Sequence, residues 1–301
     1  MLIGFAQSKS SLLESYKQNK LHHAILLHGK KGIGKASFAK ELATTILQSK
    51  NAANPDLLII EKEEDKKEIT VEKIRKISGF VNQTSAGGHS KFIIIDSVCE
   101  LNKSGSNALL KILEEPHPNN FLILISHNLN RVLPTIRSRC QLIKINDHSF
   151  ENFKEILNQE KIKFSTEEMT FLAEIFDNSP AQVINLGAET SRFYQLFLRS
   201  IINQKISDEL LKKIADKNFS FTIFESIIEF FFSRLLKNLH QKEQQSFFEE
   251  KEVFTKLLQK FSAKEIFQIA DEIMISLHKT QGLYLDRKLS LINIFNRICY
   301  E

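Results

Sequence analysis

Residues 24–36, Ala24-Ile-Leu-Leu-His-Gly29-Lys-Lys-Gly32-Ile-Gly34-Lys35-Ala36, leave the chain few folds to choose from. An apolar run long enough for a buried strand feeds a glycine-rich turn. Lys35 then opens a helical pattern, Ala36-Ser-Phe-Ala-Lys-Glu-Leu-Ala. This is the phosphate-cradling loop G-x-x-x-x-G-K-[ST], with Gly29, Gly34 and Lys35 in register and Gly32 inside the turn. Backbone N–H groups close around phosphate oxygens, the helix points its positive end at them, and the lysine adds a charge. One part is missing. The position after the lysine should carry the hydroxyl that ligates Mg²⁺, and it is Ala36. Ser37 follows one place late, and one helical residue turns it about 100° away from that direction.

With 301 residues the chain has length for about two domains and for sizeable cores. A hydrophobic fraction of 42% with 26% charged residues fits a globular protein. A net charge of +5 is compatible with a nucleic-acid neighbourhood but is far from a histone-like field. Three widely spaced cysteines (Cys99, Cys140, Cys299) argue against a zinc site or a disulfide framework. The N-terminal residues lack the basic region and apolar core of a signal peptide. The most apolar late stretch, 221–236, is interrupted by Glu225, Glu229 and Arg234, so no membrane span is expected. The expected setting is cytoplasmic and reducing.

Eight of the ten glycines lie at or before Gly105, and no proline follows Pro180, so the first half is punctuated and the last third is not. Apolar runs at 24–27, 57–60, 92–95, 121–125 and 141–145 recur in the first half. Amphipathic helical patterns at 36–48, 71–83 and 103–113 separate the first four. Runs apolar on both faces and alternating with helices predict a parallel five-stranded sheet covered on both sides. The charge run 61–68 reads as a solvated loop before a helix that Thr70 caps. A smaller helical unit is expected from 148 to 190. There, Ser165-Thr-Glu-Glu168 is a capping box, and Ser179-Pro180 an N-cap with proline at the first helical position. From 191 to 301 the pattern is long helices, with Gly282 marking a turn before the last. Phenylalanines crowd this region and read as core.

Lys91-Phe-Ile-Ile-Ile-Asp96 is an apolar strand ending in an acid, the form of the second nucleotide motif, whose aspartate holds Mg²⁺. The next position, an activating acid in hydrolysing relatives of this layout, is Ser97. Arg137-Ser138-Arg139-Cys140 precedes the fifth apolar run. Its arginines read either as solvated side chains or as an arginine finger, a planar permanent charge presented to a γ-phosphate.

These pieces in this order resemble the delta-prime subunits of bacterial DNA polymerase III clamp loaders, an AAA+ family. The segments that carry the resemblance are Lys20–Gly29, Ile69–Arg75, Thr84–Gly88, Ile94–Asn102, Ser106–Pro116 and Leu133–Gln141, with a weaker return at Leu285–Asn293. The combination Asn107-Ala-Leu-Leu-Lys-Ile-Leu-Glu-Glu-Pro116 with Ser138-Arg139-Cys140 is the most specific part. The resemblance implies an AAA+ P-loop domain at 1–147, a small helical lid at 148–190 and a helical collar at 191–301. It implies that Arg139 acts in trans, on ATP bound by the adjacent motor subunit. Ser126 stands at the first-sensor position, and Gln182 stands where the family has a sensing arginine. The cofactor site is then a degenerate ATP site of Gly29, Gly32, Gly34, Lys35, Ala36, Asp96 and Ser126, weak or vestigial, without zinc and without a complete metal ligand set. The implied partners are the ATPase motor subunits and the delta subunit, with the sliding clamp and primed DNA reached through the complex, and no membrane. Two departures stand out: the four-cysteine zinc module of many relatives is absent, and a common Gly-His is Gly4-Phe5.

Ala36, Ser97 and Gln182 each remove one contribution to turnover, so a non-hydrolysing subunit lending Arg139 to a partner is the leading expectation. An autonomous ATPase, with Ser37 and a distant acid as substitutes, is the alternative. A nucleic-acid-binding module without nucleotide chemistry is a third.

Overall fold

The computed structural model describes residues 3–49, 54–63, 66, 68–83, 85, 90–216, 219–240, 245–283 and 287–300. Within the segments that carry the resemblance, Thr84, Ala86, Gly87, Gly88, Leu285 and Asp286 lie outside the described residues, as do Glu64, Asp65 and Lys67 of the charge run. The chain divides into two compact units, residues 1–160 with 178–181, and residues 161–177 with 182–301.

The first unit is built on five parallel strands, β1 Ala24–His28, β2 Leu57–Ile60, β3 Lys91–Ile95, β4 Asn120–Ser126 and β5 Gln141–Lys144, in the order β2-β3-β4-β1-β5. Each expected run is a strand, with bounds within a residue or so. The helices are α1 Ala6–Lys17, α2 Lys35–Ile46, α3 Val71–Val81, α4 Lys103–Glu114, α5 Pro134–Arg137 and α6 Phe150–Gln159. Period-2 alternation sends side chains to two cores. Ile25, Leu27, Phe92, Ile94, Ile123 and Ile125 pack with Leu12 of α1 and Phe38 and Leu42 of α2. Ala24, Leu26, Ile93, Ile95, Leu122 and Leu124 pack on the other face with Ile74 and Ile77 of α3 and Leu109 and Leu113 of α4. The doubly covered parallel sheet is the α/β architecture expected.

Parallel strands place all connections of one kind at one end. The loops after β1, β3 and β4, holding Gly29–Lys35, Asp96 and Ser126, therefore gather at the carboxyl ends of the strands. Arg139 precedes β5 and so sits at the amino ends.

The second unit is helical: α7 Thr166–Ile175, α8 Pro180–Ile202 (whose first residues belong to the first unit), α9 Asp208–Ala215, α10 Phe221–His240, α11 Glu250–Lys260, α12 Ala263–Leu283 and α13 Arg287–Cys299. The capping box forms as read, Ser165 and Glu168 each bonding the other's backbone N–H. Phe171, Phe193, Phe197, Phe224 and Phe231 are fully buried, so these aromatics are core. Three local expectations change. Thr70 stands at the N-cap of α3, but its side chain makes no capping bond. Gly282 lies inside the last turn of α12 rather than in a connection, and α8 runs unbroken through position 190, where a domain boundary was expected. At Gly282 a single residue's turn propensity did not outweigh helix continuation. Among the described residues no helix is long and apolar enough to cross a membrane.

Candidate nucleotide site and arginine finger

The loop after β1 has the backbone its glycines predict. Gly32 and Gly34 have φ of 80° and 93°, a left-handed region where a side chain is strained. A Cβ on Gly29 would stand 2.5 Å from the carbonyl oxygen of Ile145, too close for any other residue. Lys35 opens α2 and is buried. Its Nζ donates to the carbonyls of Gly29 at 2.8 Å and Lys30 at 2.5 Å. An ammonium has three donors, so one is left for a phosphate. Burial lowers the Lys35 pKa to about 8, against the opposing pull of Asp96.

The remaining carbonyls of the loop are engaged too. Ser179 Oγ donates to Lys31 at 2.9 Å, the backbone N–H of Ala181 to Gly32 at 3.1 Å, and His148 Nε2 to Ile33 at 3.0 Å. Since a carbonyl only accepts, Nε2 must carry the imidazole proton. The carbonyl side of the loop from Gly29 to Ile33 is thus satisfied by protein, while the N–H side is what a phosphate would meet. Phe5 stacks on Phe38 with centroids 5.0 Å apart, and its ring lies 3.5 Å from where a Gly34 Cβ would be. Gly4 packs on His148, whose Nδ1 would be 2.9 Å from a Gly4 Cβ. A side chain at position 4 has no room.

The metal half of the site does not fit. Ala36 packs partly buried against the core, and Ser37 is exposed. The helix has turned Ser37 to solvent, so it does not replace the missing ligand. Asp96 is held above the ordinary carboxylate range by burial and then by the nearby charge of Glu61, and it accepts a 3.3 Å bond from Ser97 Oγ. Ser97 itself is left-handed at φ 67°. Ser126 is fully buried at the end of β4, its Oγ accepting from the backbone N–H of Asn128 at 3.1 Å. Gln182 belongs to the second unit.

Arg139 lies elsewhere. β1 and β5 run parallel with Ile25 opposite Gln141 and His28 opposite Lys144, so the length of the strand, about 10 Å, separates the start of β5 from the loop that follows β1. The guanidinium is partly exposed. It pairs with Glu114, the last residue of α4, at 2.9 Å and donates to the Thr135 carbonyl at 3.1 Å. Leu133 and Leu142, a few residues to either side, are both exposed apolar side chains. Cys140 packs against the core, and burial pushes its thiol up to about 12. That is the behaviour of a small apolar residue.

The sheet therefore unites Gly29, Gly32, Gly34, Lys35, Asp96 and Ser126 at one end and leaves Arg139 at the other. Sequence reasoning missed His148, Ser179 and Ala181 as partners of the loop, and Glu114 as partner of Arg139. Ser179-Pro180 was visible as a helix start, but its hydroxyl serves a carbonyl 148 residues away.

Residues 5–149 match the family model described as DNA polymerase III, delta subunit. The delta-prime subunit of Pseudomonas aeruginosa DNA polymerase III is 39% identical over 135 residues, 39% of this chain and 41% of that protein. The Bacillus subtilis delta-prime subunit is 30% identical over 148 residues, 44% of each chain. The matched stretch thus spans less than half the length of these relatives. A DNA polymerase III gamma subunit-related protein of Thermotoga maritima superposes with a TM-score of 0.52 at 16% identity, covering 94% of this chain and 97% of that one, a likeness of fold. Through residues 5–149 the chain is similar to the delta-prime clamp-loader subunits of bacterial DNA polymerase III.

Proposed function

We propose that the protein serves DNA replication as a clamp-loader subunit that does not turn over ATP itself and supplies Arg139 to ATP bound by a neighbouring subunit. The observation that carries this is the placement of Arg139 at the amino ends of the strands, a strand's length from the chain's own phosphate loop. A finger so placed cannot serve its own loop. It can serve a loop presented by another subunit docking against Leu133 and Leu142, the exposed apolar side chains that flank it.

The chain's own loop supports the same reading. Its N–H side and the spare Lys35 donor can hold a phosphate weakly, whereas Ala36 supplies no hydroxyl and Ser97 no acid. Losing one well-placed electrostatic contact costs ~10²–10³ in rate, so two or three losses leave little turnover. In this reading the helical second unit is the collar that joins the motor and delta subunits, and the sliding clamp and primed DNA are reached through that assembly in the cytoplasm.

The test is phosphate release from ATP by the purified chain, with Lys35→Ala as the contamination control. Release no greater than the control is expected. Sustained release that vanishes in Lys35→Ala would replace this reading with the autonomous ATPase.

A further inference from the structure

Beside the phosphate loop, at the carboxyl ends of β3 and β4, lies a second chemical cluster that no step above uses. Cys99 sits in the short 3-10 turn Val98–Glu100, which follows Asp96 and Ser97, and faces His127, the residue after Ser126. Its Sγ is 3.5 Å from His127 Nδ1 and 3.7 Å from Nε2. His127 Nε2 stands 3.6 Å from a Glu100 carboxylate oxygen, and the other oxygen of Glu100 pairs with Lys62 at 2.7 Å. Sulfur, imidazole and carboxylate thus form a chain in the order nucleophile, base and orienting acid.

The sulfur is also surrounded by donors. Beside the imidazole, the Ser126 hydroxyl and the backbone N–H groups of His127 and Asn128 act on it in the direction that favours the thiolate. Burial alone raises a thiol, as it does for Cys140 to about 12 and for Cys299 to about 11. At Cys99 burial acts the same way, yet the imidazole and these polar neighbours outweigh it and bring the thiol down to about 7. Lys35 is close enough for the two groups to interact electrostatically.

We infer that Cys99, with His127 as its base and Glu100 orienting the imidazole, is a modification site whose co-substrate is a small peroxide. The thiol proton passes to His127, and the thiolate sulfur attacks one peroxide oxygen. The S–O bond forms as the O–O bond breaks, and the departing hydroxide takes the proton from the imidazolium. Sulfur is oxidised by two electrons, the peroxide is reduced, and the products are a sulfenic acid and water.

Accessibility alone orders the three cysteines the other way, because Cys99 is only 6% exposed while Cys140 and Cys299 are half-buried. That opposition makes the test sharp. The full chain is treated at pH 7 with limiting hydrogen peroxide and dimedone, which traps sulfenic acids, and the three cysteine peptides are quantified by mass spectrometry. Cys99 should label faster than either of the others by about tenfold or more, and the preference should disappear in urea. Equal or faster labelling of Cys140 or Cys299 in the folded chain would overturn the assignment. In His127→Gln, Cys99 labelling should fall by about tenfold or more with the other two unchanged. A Cys99 rate that stays level or rises in that variant would overturn it as well.

Discussion

Lys35 keeps its place in the motif and bonds two carbonyls of its own loop. Its ammonium is buried and has its pKa lowered to about 8 from 10.5. The unfolded chain, with the ordinary lysine value, binds more protons than the folded chain between about pH 8 and 10.5. Stability therefore rises with pH across that window, as the cost of burying the charge is relieved, and below pH 8 the cost is present in full. Urea midpoints measured from pH 7 to 10.5 should climb more steeply in the wild type than in Lys35→Met. Parallel profiles would mean that the ammonium is not desolvated in the folded state. Gly29, Gly34, Lys35, Ala36 and Asp96 stood out by spacing, because each belongs to a short motif, whereas Arg139 was singled out only through the family resemblance. The partners of those residues were not legible in the sequence. His148 is 115 positions from Ile33 and Ser179 is 148 from Lys31, and no local pattern links residues so far apart. The Cys99–His127 pair was hidden for the same reason, its members standing 28 positions apart.

At the level of elements, apolar runs gave strands because each strand of a doubly covered sheet is apolar on both faces. β5 shows the limit of that rule. It is an edge strand with Leu142 exposed, so its apolar run reflects a surface rather than a second core layer. In the helical unit the informative residue is polar. Arg234 of α10 is 2% exposed, bonds Glu250 of α11 in bidentate fashion at 2.9–3.1 Å, reaches Glu174 of α7 at 2.8 Å and lies over the ring of Phe247 at 4.3 Å. Tyr194 of α8 donates to the same Glu250 at 2.5 Å, so four helices meet at one ion cluster. In the sequence Arg234 only argued against a membrane span. Arg234→Met should cost about 3–5 kcal/mol in urea unfolding, since it leaves the fully buried Glu250 unpaired. Adding Glu250→Leu should recover part of that loss, though not all, because the Tyr194 hydroxyl and the Phe247 N–H lose their acceptor. A double variant less stable than Arg234→Met alone would show that the pair is not the unit of stability.

In the molecule as a whole, the phosphate loop and Arg139 stand at opposite ends of one sheet. The carboxyl ends keep a phosphate loop whose carbonyls are bonded within the first unit and whose metal ligand is missing. The amino ends present Arg139, held by an exposed pair with Glu114 that is worth about 0–1 kcal/mol and so is readily exchanged for a phosphate. The sequence similarity covers residues 5–149 and the likeness of fold reaches further, so the helical unit's role is part of the proposal. The decisive measurement for the proposed role is ATP turnover by a complex of this chain with delta and motor subunits of a DNA polymerase III clamp loader, with this chain as wild type or as Arg139→Ala. If Arg139 acts in trans, turnover falls by about 10³ or more at unchanged assembly, the scale of an arginine finger. Turnover equal to wild type in a fully assembled complex would contradict that role.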